Sequence, residues 1–464
     1  METRKAPQAA PARTSYDPDS PEAFVRFMSE GWVDAPITVS RADQVERYSA
    51  RRAALSKDFS DAVLVIPAGE EKTRSNDTSF RYRPSSDFAY LMGPGEAGST
   101  LVLEPRNGSH ESVLFVPAHN RGDAKFFADR VHGELWVGRH RGVDESQLFF
   151  GVDRCRPMDQ TDQYLDELRA RGLTIRNVED DTELATHLSE MRLIKDDYEI
   201  SELRKAVEIT KRGFEDIIRV MSRARSEREI ETAFTSRARI EANDTGYLTI
   251  AAAGEHACTL HWVRTNGEVR KGELLLVDAG VEVESLYTAD VTRTMPISGR
   301  FSAEQRAVYE LVYEAQRAAF EQVKPGNEFL APYRAAIRVL AKGLIDLGIL
   351  KCSLDEAVDP QNQFHRRYSL HGVSHMLGLD VHDCAKARSE NYRYSKLQTG
   401  MVLTVEPGLY FQPDDGTVPE RFRGIGVRIE DDVVVTADGH ENLSASLPSA
   451  PDAVEHWIAQ IQNR

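Results

Sequence analysis

Four acidic residues stand where apolar strands should run unbroken. Asp278 closes the run LLLVDAG, Asp290 interrupts LYTADVTRTMPI, Glu406 follows the strand-like MVLTV in MVLTVEPGLY, and Glu430 breaks GIGVRIEDDVVV. An unpaired buried carboxylate is costly, so a fold built on these runs must turn each acid to solvent or give it a partner. Turn-compatible residues between Asp278 and Asp290 allow a hairpin that brings the two aspartates face to face. Taken singly, one reads equally well as a solvated turn residue and the other as a helix cap. Strand alternation puts Arg428 and Glu430 on one side and Val427 and Ile429 on the other, and a plain Arg–Glu ion pair would satisfy that arrangement. It does not account for four acids at strand ends across one half of the chain.

Histidines add to the set. HGVSHMLGLDVH places His371, His375 and His382 among small and apolar neighbours, and His261 stands in CTLHW. A lone histidine in such a setting is more often structural; a cluster points to a site. Four carboxylates and one imidazole make a hard, oxygen-rich donor set that suits Mn²⁺ better than a structural zinc centre, which favours thiolates and imidazoles. Four negative charges cannot share one pocket without cations. Two divalent ions would supply that charge, lower the pKa of a shared water, polarise a carbonyl and stabilise an oxyanion.

Composition narrows the partners. A formal charge of -16 over 464 residues argues against a nucleic-acid binder, which needs a basic face, and disfavours adsorption to anionic membranes. No apolar run approaches the ~20 residues of a membrane helix. Four cysteines, Cys155, Cys258, Cys352 and Cys384, form no CxxC pair and suit a reducing compartment. The opening METRKAPQAAPARTSYDPDS lacks the apolar core of a secretory signal, so a cytoplasmic location is expected.

The coarse pattern is α/β (α+β). Strand-like runs at 62–66, 100–103 and 112–116 alternate with helical patterns at 44–55 and 164–171, and a charged helical segment at 181–195 leads onward. Apolar spacing predicts a long helix over 197–221. Ser226 with Glu229 reads as a capping box opening a helix through Glu241. Strands are expected at 247–251, 274–279 and 288–297, helices at 303–323 and 328–347, then strands at 401–405, 428–429 and 433–436, and a final helix at 452–462. The organisation expected is a mobile N-terminal arm over 1–38, an N-terminal α/β domain over 39–180 and a catalytic domain over 181–464.

The stretches VDAG, TADVTRTMPISGRFS, HGVSHMLGLDVHD, MVLTVEPGLY and FRGIGVRIEDDVVVT stand in an order that resembles aminopeptidase P, of the pita-bread metallopeptidases. RLIKDDYEI resembles that family's linker helix, and FRYRPSSDFAYLMGPGE and WVGRHRGVDE resemble segments of its N-terminal domain. The resemblance covers roughly residues 40–450. It implies an α/β creatinase-like N-terminal domain, a pita-bread catalytic domain and hydrolysis of peptides with proline second, with a metal-bridging water as nucleophile. Asp278, Asp290, His375, Glu406 and Glu430 match the family's metal ligands, and Glu406 also its proton shuttle. His261 and His382 match the histidines that handle the substrate amide and stabilise the intermediate. His371, Tyr410 and Arg428 match residues lining or ordering the proline pocket. A homodimer or homotetramer is the association the family implies.

Some positions depart from the family. Asp278 and Asp290 are one residue further apart than usual, so a bulge or longer turn is expected between them. Ala89 replaces an aromatic that in the family reaches a neighbouring subunit's active site, and Arg388 falls in a stretch that matches less well. Two related readings are a prolidase, which takes only Xaa-Pro dipeptides, and a metal-free creatinase-like hydrolase, which the five intact ligand positions disfavour. A non-catalytic pita-bread binding module is the reading from another class.

Overall fold

The computed structural model describes residues 20–33 and 38–463. Most of the arm expected over 1–38 lies outside them. Its described part carries a helix, Glu22–Ser29, and is not a bare arm: Phe24 packs edge-on against Phe127 at 5.5 Å and Trp32 against Phe126 at 4.9 Å. The chain divides into two compact units, one ending at Leu184 and one beginning at Ala185.

In the first unit a five-stranded sheet runs in the order Arg154–Pro157, Ser109–Val116, Thr100–Arg106, Val63–Pro67, Ile175–Asn177, with antiparallel pairs in the middle and a parallel pair at each edge. Strands Thr100–Arg106 and Ser109–Val116 are longer than expected because Asn107 and Gly108, at φ 52° and 79°, make the tight turn that the pair Asn-Gly favours. Val63, Val65, Val102, Val113 and Phe115 face Tyr164, Leu165 and Leu168 of the helix Thr161–Ala170. Ala89 lies in the helix Ser86–Met92 and is 3% exposed, turned into this unit's own core.

After the helix Thr182–Met191, which spans the boundary, the second unit continues with the helix Asp197–Met221, capped by a reciprocal Asp196–Glu199 box. The next helix, Glu227–Glu241, starts at Ser226, but the expected box is incomplete. Ser226 makes no cap to the helix N–H groups; its hydroxyl and the Arg225 N–H turn instead to the Glu229 carboxylate. Three antiparallel strands follow in the order Val291–Pro296, Leu274–Ala279, Ile250–Ala253. A second sheet joins Val402–Val405, Asp431–Val435 and His440–Asn442, and Gly408–Tyr410 pairs with Gly426–Arg428. Bridges Thr292–Glu430 and Met376–Leu403 stitch these pieces together. Among the described residues no helix is long and apolar enough to cross a membrane, and the four cysteines are unpaired.

Two expected strands are displaced. The continuous strands begin at Ile250 rather than Tyr247, and at Val291 rather than Thr288, which makes an isolated bridge to Glu282. The aspartates are therefore not opposite each other: Asp278 faces Thr292, and Asp290 stands two residues before it on the same side of the strand. The connection between them is long, as the spacing required. It contains the short strand Val281–Glu282, paired to Asp244–Thr245, and a turn with Leu286 at φ 72°. Gly280 is obligatory here, because a Cβ would lie 1.5 Å from the Ala289 carbonyl oxygen.

One buried cation holds the junction of the sheets. The Arg293 guanidinium is fully buried, pairs with Asp431 at 2.7 Å, and donates to the carbonyls of Thr292, Glu430, Leu447 and Pro448. Removing one member of such a pair leaves an uncompensated buried charge. Arg293→Met should cost about 3–5 kcal/mol in the denaturant transition of the second unit; a loss below about 1 kcal/mol would show that the pair is not structural.

Candidate active site

The acids come together in a cavity of about 330 Å³ in the second unit. Asp278, Asp290, Glu406 and Glu430 line it with His261, His371, His375, His382, Arg428, Leu260, Gly372 and Ser374. Asp278, at 9% exposure, closes the Leu274–Ala279 strand; Asp290 and Glu430 are more deeply buried. Glu406 and His375 lie nearer the mouth, each side chain 16% exposed. Tyr410 does not line the cavity; it stands behind the wall and orders it.

The Arg428–Glu430 pair that alternation allowed is replaced by a wider network. Arg428 Nη2 donates to Asp278 Oδ2 at 2.6 Å, Nη1 to the Tyr410 hydroxyl at 2.9 Å and Nε to Thr292 Oγ1 at 3.1 Å. Thr292 in turn donates to Glu430 Oε2 at 2.6 Å. Arg428 having occupied the Tyr410 oxygen, the phenol proton goes to His371 Nε2 at 2.7 Å, and His371 Nδ1–H donates to the Gly372 carbonyl at 2.6 Å. Burial, aided by the Arg428 charge, pushes the His371 pKa down to about 3, so this imidazole is neutral, as the donor count demands.

Tyr247 escaped the sequence reading. Its hydroxyl stands 2.7 Å from Asp278 Oδ1 and 2.5 Å from Asp290 Oδ1 and ties the two aspartates together. The available signal was a phenol at the head of an otherwise small, apolar run. Glu227 lies in the first turn of the helix Glu227–Glu241. Fully buried, it accepts from Ala253 N–H, Gly267 N–H, Trp262 Nε1 and His256 Nδ1, and so fixes the loop that carries His261. Arg388, which the sequence left unplaced, forms a two-pronged ion pair with Glu190 and is not in the cavity wall.

The electrostatics are those of a site short of positive charge. Burial pushes Glu406 up to about 7, with Asp290 and Asp278 adding to the shift and His375 and Arg428 opposing it. Burial and the three other carboxylates raise Glu430 well above its ordinary range. Burial works against a charged His375, yet Asp290 and Glu406 lift it to about 9. The donor set fits divalent ions. One ligand atom each from Asp290, His375 and Glu430 lie within 4.8 Å of one another. His375 Nδ1 is engaged by the Met376 carbonyl, which leaves Nε2 facing Asp290 Oδ2 at 3.3 Å and Glu406 Oε1 at 3.5 Å. A backbone acceptor on the far nitrogen is how ligand imidazoles are usually oriented.

Residues 201–437 match metallopeptidase family M24, and residues 48–175 match the aminopeptidase P N-terminal domain. The chain belongs to metallopeptidase family M24. Xaa-Pro aminopeptidase 1 of Streptomyces coelicolor is 47% identical over 96% of this chain and 94% of the relative. Among solved structures, aminopeptidase P from E. coli with the inhibitor Pro-Leu aligns with TM-score 0.80 at 33% identity, over 93% of this chain and 100% of that one. An aminopeptidase from Pseudomonas aeruginosa aligns with TM-score 0.81 at 32% identity, over 91% and 100%. The second unit thus has the pita-bread fold of M24 enzymes, preceded along the chain by an aminopeptidase P N-terminal domain, and membership implies divalent metal ions.

Cation binding must then compete with protons. A group at about 9 and one at about 7 are, at neutral pH, protonated and half protonated respectively, and a ligand must be deprotonated to bind. Affinity for Mn²⁺ should rise at least about tenfold from pH 6 to pH 8 in chelator competition. Constant affinity over that span would contradict these protonation states.

Proposed function

We propose that the chain is a dinuclear-metal aminopeptidase that hydrolyses the bond between an N-terminal residue and a following proline. The observation that carries this reading is the convergence of Asp278, Asp290, His375, Glu406 and Glu430 in one cavity with His261, His371 and His382. The relatives support the substrate class: the curated ones are Xaa-Pro aminopeptidases, and the E. coli enzyme holds Pro-Leu, the fragment left when the first residue departs from Xaa-Pro-Leu.

The five residues would hold two divalent ions, with Mn²⁺ favoured by the oxygen-rich donors. When bound, the ions supply Lewis-acid polarisation of the scissile carbonyl and make a water acidic enough to attack at neutral pH. The chain's own residues do the rest. Glu406 accepts the proton of the attacking water at a carboxylate oxygen and can pass it to the leaving nitrogen. His261 and His382 stand at the exposed side of the cavity, His382 edge-on to His375 at 4.4 Å, where they meet the reacting amide. His371, held by Tyr410 and Arg428, walls the space for the pyrrolidine ring. The acidic lining favours the free N-terminal amine and so restricts attack to the first bond.

Matched Xaa-Pro-Yaa and Xaa-Ala-Yaa peptides, with and without an N-acetyl cap, test the assignment. The proline peptide should be cut after Xaa, the alanine peptide poorly and the acetylated one not at all; equal kcat/KM for proline and alanine would sink it. Glu406→Gln keeps the shape but cannot take the proton, and kcat should fall at least ~10²-fold with two ions still bound. Near wild-type turnover with both ions present would remove Glu406 from this role.

The first unit is the surface we assign to self-association into a dimer or tetramer. Leu135, Trp136 and Val137 are consecutive there with 52%, 53% and 47% exposure, and they offer an apolar surface for that contact. Light scattering should return a multiple of 52.1 kDa at micromolar concentration; a monomer would contradict the assignment.

A further inference from the structure

Beside the catalytic cavity lies a larger one, of about 460 Å³, and the two share His371, Gly372 and Ser374 as a common wall. Phe329, Tyr333, Ile337 and Leu370 give it apolar surface, and Arg334, Arg338, Arg366 and Arg393 line it without a single aspartate or glutamate. In a chain of net charge -16 this is a local inversion of sign.

The arginines are not equivalent. Arg334 pairs with Glu328 at 2.5 Å and Arg338 with Asp355 at 3.6 Å. Among the described residues Arg366 donates only to neutral oxygens, Gln363 Oε1 at 3.1 Å and the Leu370 carbonyl at 3.4 Å. Among the described residues Arg393 has no carboxylate partner. Both unpaired guanidiniums bear on Tyr333: burial raises its phenol pKa, and these two charges oppose the rise. At the seam between the cavities the Ser374 hydroxyl is shut off from solvent without a hydrogen-bond partner, and a buried polar group left open in this way calls for a partner.

A substrate held with its first residue and its proline in the catalytic cavity must send its remaining residues somewhere. We propose that this second cavity takes the peptide downstream of proline and that its preferred ligand there is a carboxylate, supplied by an acidic side chain or by the C-terminus of a short peptide. Arg366 and Arg393 offer forked donors matched to a carboxylate, Ser374 a hydroxyl to the passing backbone, and the apolar surface a seat for the aliphatic part of the chain. This specificity rests on the Xaa-Pro reading above.

Four peptides with one Xaa-Pro-Ala core, assayed with the metal-loaded enzyme, test it: three amidated, ending in Ala, Asp or Lys, and one ending in Ala with a free carboxylate. The carboxylate-bearing peptides should show a KM about three- to tenfold below the alanine amide, with kcat unchanged and the advantage shrinking as salt is added. An advantage confined to the Asp amide assigns the site to side chains, and one confined to the free acid assigns it to the C-terminus; either supports the proposal. Arg366 and Arg393 are exposed, so the double variant Arg366→Gln, Arg393→Gln should fold, keep its turnover of the alanine amide and lose the preference. Equal KM for all four peptides, or a preference that survives in the double variant, overturns the proposal. Failure to cut any of them would overturn the Xaa-Pro reading instead. In that case calorimetry with Pro-Ala-Asp amide against Pro-Ala-Lys amide still decides the second cavity, since equal binding overturns it.

Discussion

Four carboxylates in one partly buried cavity repel one another, and Arg428 and His375 are set against them. Arg428 is committed to Asp278, Tyr410 and Thr292. His375 owes its raised pKa to the very acids it faces. Without further positive charge the balance is met by protons retained on Glu406 and Glu430. Divalent ions meet it better, since each replaces protons on several groups at once and costs no neutralised ligand. The cavity is thus a receptor for positive charge before it is anything else. Its chemistry follows from the need to fill it.

Such a cavity survives only if the backbone beneath it cannot relax to separate the acids. The 428–432 segment shows how this is arranged. Alternation sends Arg428 and Glu430 towards the cavity, and Asp432 accepts the Asp290 backbone N–H at 3.1 Å. Asp431, on the other side, meets buried Arg293 and accepts from Gln316 Nε2 at 2.9 Å. Arg293 closes the same junction by donating to the Glu430 carbonyl at 2.7 Å. Repulsion on one face of the strand is therefore held by attraction on the other, through groups only one residue apart.

That division also explains what could be read from the chain in advance. The helix Asp197–Met221 and the strand Leu274–Ala279 fall where periodicity put them, because one buried face or one apolar run decides each locally. The four acids and four histidines named from their settings do line one cavity, since a polar residue in a buried run carries its own warning. The misses are non-local. Whether Arg428 would pair with Glu430 depended on Asp278, 150 residues away. Tyr247 reaches two aspartates that only the fold brings within range, and Asp431 and Asp432, which nothing in the sequence singles out, are both fully buried.

In the function proposed above, where His371 walls the space for proline, the chain of donors from Arg428 to His371 bears directly on why proline should be the preferred second residue. Every polar atom of the His371 ring is spoken for, Nε2 by the Tyr410 hydroxyl and Nδ1 by the Gly372 carbonyl. The ring is neutral, so it presents a surface that asks for no hydrogen bond. A pyrrolidine ring, which carries no N–H, can lie against it without leaving a donor unpaired. A secondary amide in the same place brings an N–H that loses its water and finds no acceptor on this wall, a deficit of about 1–3 kcal/mol. That is about one to two orders of magnitude in kcat/KM. The discrimination then comes less from gripping proline than from a wall whose own hydrogen bonds are complete, and it depends on Arg428 being held by Asp278 as much as on any atom that touches the substrate.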